Sequence, residues 1–347
     1  MSEAQHVIAI VINHNSTDYL RNCTESLLAQ SYENLEVIFI DNNSTGRDGL
    51  KLMHDTYDDN PRVTIIANTE NKGYGKAANQ GIRMALGRNA EFVSIVNPDI
   101  IFTEEYFTKI LGRMNKDGKI ASMTGKVYKY DFINEKPTDI IDSVGLFAYR
   151  NRRIIDDGQG MVDTGQFDKE KEVFGVSGAC PIYRLDALEH VKVLEEYFDE
   201  DFFMYKEDTD LAWRFLLYGW KSLYYPEAVA YHGRGTGIQP RFSTKEILKN
   251  RKNLSRFQKK HAFRNQLAMQ SKNDLWGNVG KDIFPIILRK TMLPFFMTFV
   301  EPYLWASYVD YLKLLPKIKK KRKIILANKV LSAKEMQKWF KDQSEYL

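Results

Sequence analysis

The chain has 347 residues, 44% of them hydrophobic and 13% aromatic, which is enough apolar material for a sizeable core in one large domain or two smaller ones and excludes a disordered chain. The net charge of +5 is too modest to argue for nucleic acid as a partner. Cys23 and Cys180 are too few for a disulfide framework and lack metal-type spacing, and MSEAQH is not a signal-peptide start, so a reducing, cytoplasmic setting is expected.

Strand-like and helix-like patterns alternate over the first 125 residues. HVIAIVINHN is a β-branched run, 17–30 has helical spacing with Leu20, Leu27 and Leu28, and 35–40 is again a strand, ending at Asp41. A helix is expected near 48–57, a strand at 63–67, a helix at 76–86 and a strand at 92–96. Continuous apolar strands separated by helices imply a mainly parallel sheet covered on both faces, an α/β fold. Ligands of such sheets bind beyond the carboxyl ends of the strands. Those ends carry Asn13, Asn15, Asp41, Asn68, Asn97 and Asp99, all polar.

In SIVNPDIIF, an apolar run stops at Asn97-Pro98-Asp99. Turn chemistry explains Asn, Pro and Asp there without any function. The alternative is that the turn presents a carboxylate to a ligand. NKGYGKAANQ, with Asn71, Gly73 and Asn79, follows a strand and opens a helix; its glycines admit close approach of a ligand, and free helix amides attract an anion. Its spacing is neither that of a dinucleotide fingerprint nor a P-loop.

From 126 to 173 the period is lost, which reads as an irregular insertion or a substrate loop. Order returns with FGVSGACPIY at 174–183, a helix at 209–218 and strands at 221–225 and 228–231. In FFMYKEDTDLAWR the carboxylates Glu207, Asp208 and Asp210 crowd the start of a helix. Acidic residues favour that position by about 0.3–1 kcal/mol each, but aromatic neighbours and like charges also raise a carboxyl pKa towards the range of a general base. His232 follows the last strand, where it is either structural or, with a carboxylate and a phosphate beside it, a metal ligand.

Together these stretches resemble the inverting family 2 glycosyltransferases of the GT-A fold, and within them the bacterial rhamnosyltransferase branch. The matching residues are VINHNS, VIFIDNNS, NKGYGKAANQG, VNPD, GVSGACPIYR, FMYKEDTDLAWR and YHGRG, in family order over about residues 6 to 237. The resemblance implies that Asp41 contacts the nucleotide base with Asn13 and Asn15 near it, and that Asn71, Gly73, Asn79 and Asn97 lie near the nucleotide-sugar. It implies that Asp99 and His232 bind Mg2+ or Mn2+ at the diphosphate, and that Asp208 is the catalytic base, with Glu207 or Asp210 orienting the acceptor or the base. The expected donor is a dTDP-sugar, above all dTDP-L-rhamnose, or a UDP-sugar, and the acceptor a glycan or polyprenyl-linked glycan. A UDP-hexose transferase and a catalytically silent nucleotide-sugar-binding subunit are the alternatives. Two departures matter: Asn97 stands where many relatives have the first Asp of the metal motif, and the Q-x-x-R-W motif of processive synthases is absent.

Residues 1–240 are expected to form the transferase domain, with nucleotide-sugar and acceptor halves meeting near residue 125, and 241–347 a helical, basic region. There the aromatic run TMLPFFMTFVEPYLWASYV precedes KIKKKRK. Glu301, Pro294 and Pro302 argue against a continuous membrane span. The run fits an element lying on the anionic inner face of the cell membrane, or a packed helical domain or homodimer contact with a solvated charge run.

Overall fold

A computed structural model describes residues 5–233, 251 and 253–342. Strands β1 (Val7–Asn13), β2 (Leu35–Asp41), β3 (Val63–Ala67) and β4 (Phe92–Val96) alternate with helices α1 (Thr17–Leu28), α2 (Asp48–Tyr57) and α3 (Tyr74–Gly87). β1 lies between β2 and β4, and β2 pairs with β3, all parallel. Alternate residues of β1 enter opposite cores: Ile8, Ile10 and Ile12 pack with α3, and Val7, Ala9 and Val11 with α1 and α2. Burial on both faces is why these strands read as unbroken apolar runs.

The chain continues through β5 (Ile100–Phe102), α4 (Tyr106–Met114), β6 (Ile120–Asp131), β7 (Lys136–Ser143), β8 (Leu146–Tyr149), β9 (Ile154–Asp156), β10 (Lys171–Val173), β11 (Ile182–Arg184), α5 (Leu185–Val191), α6 (Glu207–Leu217) and β12 (Lys221–His232). The sheet runs β10-β12-β6-β11-β4-β1-β2-β3, with β5 beside β12 and β7 beside β6. β6 and β12 are parallel, whereas β11, β10, β5 and β7 join antiparallel, so the sheet is mixed, with its continuous parallel portion in β1 to β4.

Two expectations change here. The 126–173 region is not irregular, for it holds five strands or parts of strands. β7, with exposed residues over its first half, is a sheet edge, where one face stays wet and apolar periodicity fades. The two expected strands at 221–231 are one, β12, whose register against β6 slips between Tyr225 and Val229. Pro226 lies in that slip and cannot donate a ladder hydrogen bond, which made the sequence look like two strands.

Further along the chain come α7 (Arg256–Asn273), α8 (Trp276–Lys281), α9 (Ile283–Phe299), α10 (Leu304–Asn328), α11 (Ala333–Gln337) and β13 (Phe340–Lys341). β13 pairs parallel with β8, in a three-stranded sheet completed by β9. The basic run is not a uniformly solvated stripe. Lys321 is buried and donates to Glu196, Asp199 and Asp201, Lys317 donates to Asp201, and Arg322 donates to the carbonyls of Ser271, Lys272 and Asp274. Lys319, Lys320 and Lys323 remain exposed. Among the described residues no helix is long and apolar enough to cross a membrane.

Candidate active site

The carboxyl ends of the parallel strands are tied into one polar network. Asn13 pairs in register with Asp41, and its Nδ2 donates to Asp41 Oδ1 at 3.1 Å. Asp41, buried, also accepts from the Ser44 hydroxyl at 2.6 Å and the Ser44 amide at 3.0 Å, so its carboxylate folds the loop after β2 back on itself. Asn15, at φ +62°, accepts from the Thr45 amide at 2.7 Å. Asn42 is the hub: its Nδ2 donates to Asn71 Oδ1 and the Gly73 carbonyl, while its Oδ1 accepts from Asn68 Nδ2 and the Lys72 amide. Gly73 has φ +79°, and a Cβ there would lie 2.6 Å from the Phe203 carbonyl oxygen, so only glycine fits.

A second cluster surrounds a cavity of about 570 Å³ lined by Tyr74, Asn97, Asp99, Gly178, Lys206, Glu207, Asp208 and His232, among others. The turn after β4 leads into β5, which pairs antiparallel with the end of β12 so that Ile100 faces His232. That register brings His232 Nε2 to 3.2 Å from Asp99 Oδ1. Its Nδ1 lies 2.8 Å from Asp142 Oδ2, from β7. Burial opposes charge on the ring, but Asp142 and Asp99 outweigh it and push the His232 pKa up to about 9. Burial likewise opposes ionisation of Asp99, and His232 more than offsets that, holding the carboxyl below its ordinary value.

The carboxylates at the start of α6 separate. Asp208 Oδ2 accepts the Gly178 amide at 3.1 Å, and Oδ1 accepts the Thr209 amide at 2.6 Å and hydroxyl at 3.1 Å. Glu207 is buried, with Oε2 lacking a hydrogen-bond partner, and burial followed by the Asp208 charge pushes its pKa up to about 8. Asp210 does not reach the cavity. It is fully buried and accepts from Lys272, Asn273 and Arg214, which gives it a structural place rather than either of the orienting roles left open for it. Asn79 is also drawn away: its amide donates to the Phe198 carbonyl and Glu200 and its oxygen accepts the Phe198 amide, tethering α3 to the segment before α6.

Residues 8–192 match the model of glycosyl transferase family 2, just over half the chain. The chain belongs to glycosyl transferase family 2. Among family relatives it is 28% identical to an N-acetylglucosaminyltransferase of Mesorhizobium japonicum over 61% of this chain and 47% of that protein. It is 27% identical to an N-acetylglucosaminyl-diphospho-decaprenol L-rhamnosyltransferase of Mycobacterium tuberculosis, over 67% of this chain and 78% of that one. The chain spans less than half the length of the first of these. GalNAc-T7, solved with UDP, GalNAc and Mn2+, shares the fold at a TM-score of 0.58 and 12% identity, over 78% of this chain and 48% of that structure. The mannosyltransferase PcManGT of Pyrobaculum calidifontis, solved with GDP-Man and Mn2+, does so at 0.51 and 15%, over 96% and 79%. The fold is GT-A.

Within this family 2 chain Asp99 and His232 are a donor set for a divalent cation that would displace the proton pairing His232 Nε2 with Asp99. Two ligands at right angles, each about 2.1 Å from Mg2+, stand about 3 Å apart, near the observed 3.2 Å. Asp142 takes the other ring nitrogen, the outer partner that orients a ligating imidazole. No group of three or more His, Cys, Asp or Glu side chains among the described residues could hold a metal alone, so phosphate and water would complete the shell. The remainder of the YHGRG motif, from Arg234 onward, lies outside the described residues.

Several residues in these clusters were not singled out from sequence. Asn42, Ser44, Tyr74 and Gly178 all lie inside the quoted motifs, and their polarity or small size was the available signal. Asp142 had none, because only the β6–β7 pairing carries it to His232.

Proposed function

We propose that the chain is an inverting glycosyltransferase that transfers a sugar, L-rhamnose from dTDP-L-rhamnose, to a glycan or lipid-linked glycan acceptor by single displacement. The observation that carries the reading is the convergence of Asp208, Glu207, Asp99 and His232 on one cavity at the carboxyl edge of the sheet. Asp208 is held by the Gly178 amide and faces the cavity, placed to take the proton of an acceptor hydroxyl as that oxygen attacks the anomeric carbon and the nucleotide diphosphate leaves. Glu207 keeps its proton up to about pH 8 and so serves as a hydrogen-bond donor beside the base, not as a second base. Asn13, Asn15, Asp41, Asn71 and Gly73 form the edge that receives the nucleotide and its sugar. A divalent cation, Mg2+ or Mn2+, held by Asp99 and His232 would stabilise charge developing on the leaving diphosphate.

The rhamnose assignment rests on the mycobacterial relative, matched over most of both chains. Transfer of another sugar from a UDP-sugar is the second reading, and the rhizobial relative, named an N-acetylglucosaminyltransferase, favours a sugar other than rhamnose. Exposed apolar residues along α9 and the exposed Lys319, Lys320 and Lys323 support peripheral contact with an anionic membrane surface. A donor screen tests the function: hydrolysis or transfer is measured for dTDP-rhamnose and UDP-sugars, with Mg2+, with Mn2+ and with chelator. The expected result is metal-stimulated turnover of dTDP-rhamnose. Turnover of UDP-sugars alone selects the second reading, and a chain that binds no sugar nucleotide sinks both.

A further inference from the structure

The segment Arg150–Arg153 between β8 and β9 carries three arginines with contrasting surroundings. Arg150 is neutralised by Asp282 and Asp342, and Arg152 by Asp274 and Asp282. Arg153 has no such partner, and two further cations converge on the same segment. Lys206 Nζ donates to the Ile154 carbonyl at 3.4 Å, and Arg289 Nη1, from α9, donates to the Asn151 carbonyl at 3.0 Å. Among the described residues none of Arg153, Lys206 and Arg289 makes an ion pair with a carboxylate.

Partly buried like charges without an ion-paired carboxylate are costly unless something negative binds them. That cost is visible in Arg289, whose pKa burial and then Arg153 lower to about 10. Burial also holds the Lys206 pKa down, with Arg289 adding to it, against the opposing pull of the Asp208 and Asp156 carboxylates. The cluster adjoins the catalytic cavity, since Ile154, Ile155, Asp156 and Lys206 line it together with Glu207 and Asp208. It also adjoins an apolar surface: Phe284, Leu288, Met292, Phe295 and Phe299 of α9 are all more than half exposed and recur every three or four residues along one face.

We infer that Arg153, Lys206 and Arg289 form an anion subsite for the phosphate or diphosphate of an amphiphilic acceptor, whose sugar enters the Asp208 cavity and whose hydrocarbon lies along the exposed face of α9. Cations at one end of that face and an acceptor-side cavity beyond them match a molecule that is apolar, then anionic, then sugar. Arginine suits the anion because its planar fork binds phosphate oxygens in pairs. The acceptor role rests on the transferase reading, whereas the subsite itself does not.

Direct binding separates the two. Calorimetry on the whole chain, in chelator and without nucleotide-sugar, is run with farnesyl diphosphate, inorganic pyrophosphate and farnesol. Farnesyl diphosphate should bind tightest, pyrophosphate more weakly and farnesol weakest. Arg153→Gln and Arg289→Gln should each weaken farnesyl diphosphate by about tenfold, Arg153→Lys should fall between wild type and Gln because it keeps the charge but loses the fork, and melting temperatures should confirm that each variant is folded. Unchanged affinity in the folded double Gln variant, or farnesol binding as tightly as the diphosphate, overturns the subsite. Pyrophosphate matching farnesyl diphosphate overturns the lipid assignment, and full displacement by UDP moves the anion to the donor site and overturns the proposal. Binding that follows the expected pattern in a chain that turns over no sugar nucleotide supports the subsite and removes the catalytic reading.

Discussion

Glu207 and Asp208 are neighbours at the start of α6, yet one amide and one patch of burial divide their chemistry. The Gly178 amide fixes the Asp208 carboxylate at the cavity wall, while Glu207 points an oxygen into a site without a donor. Asp208→Asn should therefore cut transfer by about 10²–10⁴-fold while leaving nucleotide-sugar affinity near wild type, as read by steady-state kinetics beside calorimetric binding. Glu207 gives a pH prediction. An unfolded Glu loses its proton near pH 4.3, and folded Glu207 keeps it to about 8. The native state thus holds the extra proton between those values, so its contribution to stability is complete below about pH 4.3 and is lost as pH rises towards 8. Glu207→Gln should flatten that part of the stability–pH curve in urea melts, and an unchanged slope would contradict the shift.

At the scale of elements, the segment entering α6 is backbone under strain. Phe203, Tyr205 and Lys206 have φ of +64°, +69° and +73°, a region in which residues with side chains cost of order 1–3 kcal/mol. What holds them there comes from elsewhere in the chain. Asn265 Nδ2, from α7, lies 2.8 Å from each of the Phe202, Met204 and Tyr205 carbonyls, and the Tyr74 amide donates to the Phe203 carbonyl. Arg264 also donates to the Phe202 carbonyl, so loss of Asn265 strands chiefly the other two. Asn265→Ala should lower stability by about 1–3 kcal/mol and reduce kcat more than donor affinity, because the loop carrying Glu207 and Asp208 relaxes. An Asn265→Ala protein with wild-type kcat would show that α7 does not position this loop. Gly73→Ala tests the other side: its Cβ collides with the Phe203 backbone in a left-handed conformation, so melting temperature and turnover should fall together.

For the molecule as a whole, the C-terminal helices are fastened to the sheet domain by buried charge rather than by apolar packing alone. Lys272 donates to Asp199 and Asp210, and Lys321 donates to Asp199 at 2.6 Å and Glu196 at 2.8 Å. Burial opposes ionisation of Asp199, but the two lysines overcome it and hold its pKa well below the ordinary carboxylate range. The sign follows: Asp199 contributes stability above about pH 4 that is lost as pH falls towards its folded value. Asp199→Ala removes the partner that the two lysines share but leaves Asp210 to Lys272 and Glu196 and Asp201 to Lys321, so it should cost about 1–3 kcal/mol in chemical denaturation. The difference from wild type should shrink below pH 4, and a difference that persisted would mean that the network is not what acid attacks.

Local chemistry carried much of this into the sequence. The parallel strands were legible because β1, β2 and β4 are buried on both faces, and their polar ends were legible because each apolar run stops at Asn or Asp. Motif residues Asp99, Glu207 and Asp208 were visible as carboxylates at element boundaries. Asp142, Asn265, Arg153 and Arg289 were not, since nothing in an edge strand, a polar helix or a short turn announces which distant atom a side chain will meet. The same limit applied to KIKKKRK, whose Lys321 looks like its neighbours in sequence but faces Asp199 in the fold. Sequence by itself determined the family, through the resemblance of its motifs, and also the order of the strands along the chain and the residue types at the sheet edge, because periodicity and turn chemistry act between near neighbours. Tertiary structure alone decided that β5 and β12 bring Asp99 to His232, that Asp210 is locked inside, and that three cations share one segment, because burial and pairing across tens of residues set distances that no local pattern encodes.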